Sequence, residues 1–80
     1  MLSLPDLALA LRFHYYCKSA PLIADNVYDR LEAKAREEAQ EGHPILRPGC
    51  DVEDFYPEHV KNVSASFIIK EVKRFLEEIQ

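Results

Sequence analysis

Residues 15–31 read YYCKSAPLIADNVYDRL. One helical pattern ends here, Pro21 marks a short turn, and a second helical pattern opens. Tyr15 and Tyr28 stand on either side of the turn. Asp25 and Asp29 lie one helical turn apart at the start of the second helix, so they project from one face. Aromatic faces and paired carboxylates around a tight helical turn are the ingredients of a small ligand cleft.

Upstream, Ser3 and Asp6 form a capping-box-like start, with Asp in place of the usual Glu. Pro5 is tolerated in a first turn, where its missing N–H has no intrahelical partner. Leu4, Leu7, Leu11 and Tyr15 then recur at spacings of three and four, and Leu9, Phe13 and Tyr16 form a second stripe. The apolar face is therefore wide, as the central helix of a small core requires. The pattern predicts a first helix over 3–18, with Cys17 as a small apolar core residue.

Pro21 disfavours helical geometry in the residue before it. Leu22 and Ile23 cross over, and Asp25 is the expected N-cap of a second helix over 25–41. Tyr28, Leu31, Ala35 and Ala39 share its apolar face, while Arg30, Lys34, Glu37, Glu38 and Glu41 make a solvated one. Gly42 is the expected stop, with Pro44 after it. In the following loop Ile45 and Leu46 are expected to plug into the core. Asp51 is expected to cap a short helical turn, and Val60 and Val63 suggest another. A last helix over 63–79, capped by Asn62 or Ser64, carries Ile68, Val72, Phe75, Leu76 and Ile79 on one stripe. No strand alternation or internal repeat is present. The fold class is all-α in a single domain over 1–80: a helix-turn-helix hairpin with a C-terminal covering helix.

Composition narrows the function. Ten basic residues are scattered among fourteen acidic ones, for a net charge of −4. Phosphate-backbone binding needs clustered cations, so direct nucleic-acid binding is not expected, and only Lys70, Lys73 and Arg74 form a local basic patch. No apolar run approaches the ~20 residues of a membrane span. The N-terminus has neither a basic n-region nor a signal-type cleavage site. The reading is a soluble, cytoplasmic protein with no membrane partner. Cys17 and Cys50 are too few for a disulfide framework and are expected to be reduced. His14, His43, His59 and the cysteines lack paired metal-ligand spacing, so no metal is expected. No Ser-His-Asp set, Cys-His pair or glycine-rich phosphate loop is present.

The run Tyr15-Tyr16, Pro21, Ile23, Asp25, Tyr28-Asp29 and Leu31, followed by His43-Pro44, resembles the N-terminal Ia domain of bacterial NAD-dependent DNA ligases. The resemblance covers 11–46, and the remaining 47–80 are divergent. It implies a cleft for the nicotinamide mononucleotide (NMN) half of NAD and a link to DNA repair or replication. By position, Tyr15 and Tyr28 would flank the nicotinamide ring. Asp25 and Asp29 would contact the ribose and amide region, and Tyr16 would lie near the phosphate, where family members have His or Tyr. The ligand chemistry agrees, since a cationic pyridinium suits a tyrosine face and carboxylates suit a positive ring and ribose hydroxyls.

The departures are equally informative. The Lys-x-Asp-Gly nucleophile motif of the ligases is absent, and eighty residues leave no room for a nucleotidyltransferase domain. Ala35 and Ala39 stand where the family has larger apolar residues. The resemblance therefore implies a stand-alone relative with no ligase activity of its own. It would bind NMN or NAD, with a nucleotidyltransferase as its protein partner. The other reading is an interaction scaffold that has lost the ligand and acts through a protein partner. In that reading Tyr15 and Tyr28 only pack the two helices together, and Asp25 is only a cap.

Overall fold

The computed structural model describes residues 2–18, 22–48 and 52–78. In chain order they form α1 (Leu4–Cys17), α2 (Asp25–Glu38), a 3-10 turn at Pro44–Leu46, a second at Glu53–Phe55, α3 (Glu58–Lys61) and α4 (Ala65–Glu78). No strand occurs among the described residues, and the all-α architecture is as expected.

Helix α1 is the centre, packed by α2, α3, α4 and the first 3-10 turn. Leu7 through Leu11 are all buried, as is Phe13, so this helix is apolar nearly all round, the signature of an enclosed one. Ser3 caps it by accepting a hydrogen bond from the Asp6 N–H at 3.3 Å. Leu31 and Ala35 of α2, Ile45, Tyr56 of the second 3-10 turn's end, Val60 of α3, and Ile68, Val72 and Phe75 of α4 close the core around it. Fully burying a side chain such as Leu9, Leu31, Ile45 or Ile68 contributes roughly 1.5–3 kcal/mol. Tyr56 meets Phe13 edge-on at 5.3 Å. Ser64, one of the two expected caps, starts α4 by accepting from the Phe67 N–H at 3.2 Å.

Several expectations need correction. Asp25 is not the N-cap of α2. Ala24 holds that position in extended geometry, and its carbonyl accepts from the Tyr28 N–H at 3.0 Å. The helix thus starts one residue earlier than a capping carboxylate would place it, and Asp25 keeps its side chain free. Helix α2 also ends at Glu38 instead of residue 41. Residues 40–43 instead form a turn closed by the His43 N–H on the Gln40 carbonyl. Gly42 sits in it at φ +89, the left-handed conformation that favours glycine at the third position of a type II turn. Leaving the helix early lets His43 and Ile45 reach α1.

Leu46 is exposed, unlike Ile45, because a three-residue 3-10 turn directs neighbouring side chains to different sides. Cys17 is only partly buried against the core. Tyr15 and Tyr16, expected on the apolar stripes of α1, are 50% and 44% exposed. The last turn of α1 keeps Cys17 against the core and leaves these two rings half in solvent. The expectations for Cys50, Asp51 and Ile79 lie outside the described residues. No helix among those described is long and apolar enough to cross a membrane.

Candidate functional site

The emerging end of α1 and the first three turns of α2 enclose a cleft of about 470 Å³. Tyr15, Tyr16, Asp25, Tyr28 and Asp29 all line it. Pro48, after the first 3-10 turn, also lines it, whereas among the described residues Phe55, Tyr56 and α4 take no part in its walls. Asp25 and Asp29 are exposed and have no hydrogen-bond or ion-pair partner among the described residues. The carboxylate wall is therefore electrostatically unspent.

Tyr28 is held differently from Tyr15. Its hydroxyl accepts from Nε of Arg12 at 3.0 Å. Burial pushes the phenol pKa up to about 12, and the negative charge of Glu32 adds to the rise while Arg12 opposes it. Arg12 is itself buried at 5% exposure. Its Nη1 donates to the Arg47 carbonyl at 2.7 Å, and its Nη2 donates to Glu32 Oε1. Burial opposes the charge on Arg12, but the Tyr28 and Glu32 contacts prevail and hold its pKa above the ordinary value. Arg36 approaches the same Glu32 oxygen from solvent at 3.4 Å. One buried arginine thus fixes α1, α2 and the loop after α2 in register and sets the tyrosine in place.

Arg12, Glu32 and Arg36 escaped the sequence reading. The signal was present: Asp25, Asp29, Glu32 and Arg36 follow i, i+4, i+7, i+11, a polar stripe at helical spacing. Charged residues at helical spacing are also the ordinary solvated face of an amphipathic helix, so the stripe by itself does not single out a site. A single arginine among the leucines of α1 carries no pattern of its own.

A second polar cluster lies away from the cleft. Asp6 accepts from Nε2 of His43 at 2.9 Å and meets Nε2 of His59 at 3.3 Å. Burial disfavours the Asp6 charge, but the two histidines and Ser3 outweigh it and hold its pKa below 3.8. The His43-Pro44 pair has a structural task here, because His43 Nδ1 accepts from the Ile45 N–H at 3.0 Å and caps the 3-10 turn. Among the described residues no group of three His, Cys, Asp or Glu side chains is placed to hold a metal ion.

No family model matches this chain, and no curated protein or solved structure matches it.

Proposed function

We propose that the cleft binds the nicotinamide mononucleotide part of NAD and that the chain acts as a binding module of the DNA-ligase Ia type, with no adenylation chemistry of its own. The observation that carries this reading is the convergence of Tyr15, Tyr16, Asp25, Tyr28 and Asp29 on one open cleft. A pyridinium ring is cationic, and a tyrosine face attracts a cation with about 0.5–2 kcal/mol depending on desolvation. The unpaired Asp25 and Asp29 offer acceptors to ribose hydroxyls and an amide. Adenylation starts with a lysine nucleophile in a Lys-x-Asp-Gly motif, which these eighty residues lack, so their part is binding and the nucleophile lies outside them.

Affinity for the nucleotide alone should be weak. A few contacts must offset the ligand's lost freedom, and a millimolar constant corresponds to only about 4 kcal/mol. An NMR titration with nicotinamide mononucleotide should shift the amides of Tyr15, Asp25, Tyr28 and Asp29 before any others. A folded sample in which millimolar ligand moves none of the four would leave the scaffold reading standing. That second reading has one specific support: the hydroxyl of Tyr28 is already bound by Arg12, so Tyr28 has a structural role whether or not a ligand enters.

A further inference from the structure

The polar stripe of α2 changes sign along the cleft. At its start Asp25 and Asp29 contribute two negative charges that have no partner among the described residues. Farther along lies the Arg12, Glu32 and Arg36 group, two cations sharing one carboxylate, which leaves one positive charge in excess. The two arginines are not equivalent. Arg12 is buried, and each of its three nitrogens already donates to a partner, so it has little left to offer a ligand. Arg36 is 46% exposed at its side chain and lines the cleft. Its single partner among the described residues is Glu32 Oε1, which it meets from Nε and Nη2 at a long 3.4 Å. Glu32 is more closely engaged by Arg12, so the Arg36 fork is only weakly committed.

From Asp29 to Arg36 is seven residues, about 10 Å along the helix axis at ~1.5 Å per residue. The cleft is therefore bipolar over a length comparable to one nucleotide. A planar guanidinium binds phosphate oxygens through paired N–H donors.

We infer that Arg36 is the anion-anchoring residue of this cleft, so that its ligand carries a cationic ring at the Asp25–Asp29 end and a phosphate at the Arg36 end. The assignment rests on the nucleotide-binding reading and goes beyond it by requiring the phosphate and naming the residue that takes it. Tyr16 lines the same cleft but carries no charge and supplies at most a hydroxyl there.

The experiment is a titration of the intact chain, and of Arg36→Gln, with nicotinamide mononucleotide and with its phosphate-free riboside, followed by amide shifts and by the Arg36 side-chain Nε–Hε resonance. In the wild-type chain the nucleotide should bind roughly tenfold more tightly than the riboside, about 1.4 kcal/mol, and should shift Nε–Hε. In R36Q the nucleotide should lose its advantage, and the two ligands should bind equally. Inorganic phosphate alone should shift Nε–Hε of the wild type without moving the amides of Asp25 and Asp29. Thermal unfolding of R36Q near the wild-type temperature shows that the variant is folded, and Arg36→Lys, which keeps the charge, should retain part of the preference. Equal binding of the two ligands to the wild type, or a preference that survives in R36Q, overturns the Arg36 assignment and leaves the nucleotide site in place. Failure of both ligands to bind overturns the site and the assignment together.

Discussion

Nε of Arg12 donates to the hydroxyl of Tyr28 at 3.0 Å across the interface of α1 and α2. This hydrogen bond separates two roles that one tyrosine can play. The hydroxyl belongs to the scaffold, through an arginine that also holds Glu32 and the Arg47 carbonyl. The ring belongs to the cleft wall. Tyr15, at the emerging end of α1, has no comparable tie to the core.

Substitutions at the two tyrosines should therefore have different effects. Tyr28→Phe keeps the ring and leaves Arg12 one partner short, costing about 2 kcal/mol of stability with little change in nucleotide affinity. Tyr15→Ala should leave stability nearly unchanged and weaken binding roughly tenfold, the upper part of the cation–π range. Urea denaturation and NMR titration of both variants measure the two effects. A Tyr28→Phe variant that lost binding at full stability would assign the hydroxyl to the ligand.

The Arg12–Glu32 pair should be costly to break from either side. Glu32→Ala leaves a buried guanidinium without its carboxylate and should destabilise by about 3 kcal/mol, the low end for a broken buried pair because Glu32 is partly exposed. Arg12→Met should cost a similar amount, through the lost donors to Tyr28 and Arg47. The double variant should cost less than the sum, since residues in one network couple. Additivity within error in a denaturation cycle would show the pair to be independent.

Acid should destabilise the fold in two stages. His14 is 8% exposed, and its Nε2 is buried with no hydrogen-bond partner among the described residues. Burial, with the nearby positive charge of Lys18, lowers its pKa from 6.5 despite a backbone hydrogen bond with Val63. The unfolded chain then binds a proton on this residue that the folded chain refuses, so stability falls as pH drops below 6.5. The second stage belongs to Asp6, whose lowered pKa makes its contribution complete above 3.8 and lost as pH falls through the folded value. His14→Leu should remove the first stage and keep the second, as read from denaturation midpoints between about pH 8 and pH 3. An unchanged slope below neutrality in that variant would place the proton elsewhere.

Leu11 and Phe75 test how little core the chain can spare. Leu11 is 3% exposed and Phe75 8%. Replacing either by Ala should cost about 2–5 kcal/mol, a large share of the ~5 kcal/mol or more typical of a small domain. Melting temperatures close to wild type would show that the core closes over the gap.

Asp29→Asn tests the carboxylate wall. With no partner among the described residues, Asp29 can spend its charge on a cationic ligand. The variant should weaken nucleotide binding more at low than at high salt, because ions screen exposed charges. Nicotinic acid mononucleotide, whose carboxylate would meet Asp25 and Asp29 as like charges, should bind the wild type less well. A salt-independent loss would indicate a hydrogen bond in place of a charge effect.

The helices were readable because their cause is local. Ser3 and Ser64 announce starts, and Leu7, Leu11, Ile68 and Val72 recur at the period of a helix. The clustering of Tyr15, Asp25, Tyr28 and Asp29 was readable for the same reason, since a short turn and a four-residue spacing leave few places for them to go. Tertiary structure decided what those residues are free to do. Tyr15 and Tyr16 have the spacing of core residues and are half exposed because the packing of the other described elements leaves them on the cleft. Asp25 has the chemistry of a cap and is released because Ala24 takes that position. Arg12 sits among leucines and becomes the tie between three segments because Tyr28, Glu32 and the Arg47 carbonyl, 16, 20 and 35 residues away in sequence, arrive around its guanidinium. Periodicity records which face of a helix is apolar. The meeting of charges distant in sequence is set by how the helices pack, which here buries the guanidinium of Arg12 and brings a partly exposed Glu32 onto it.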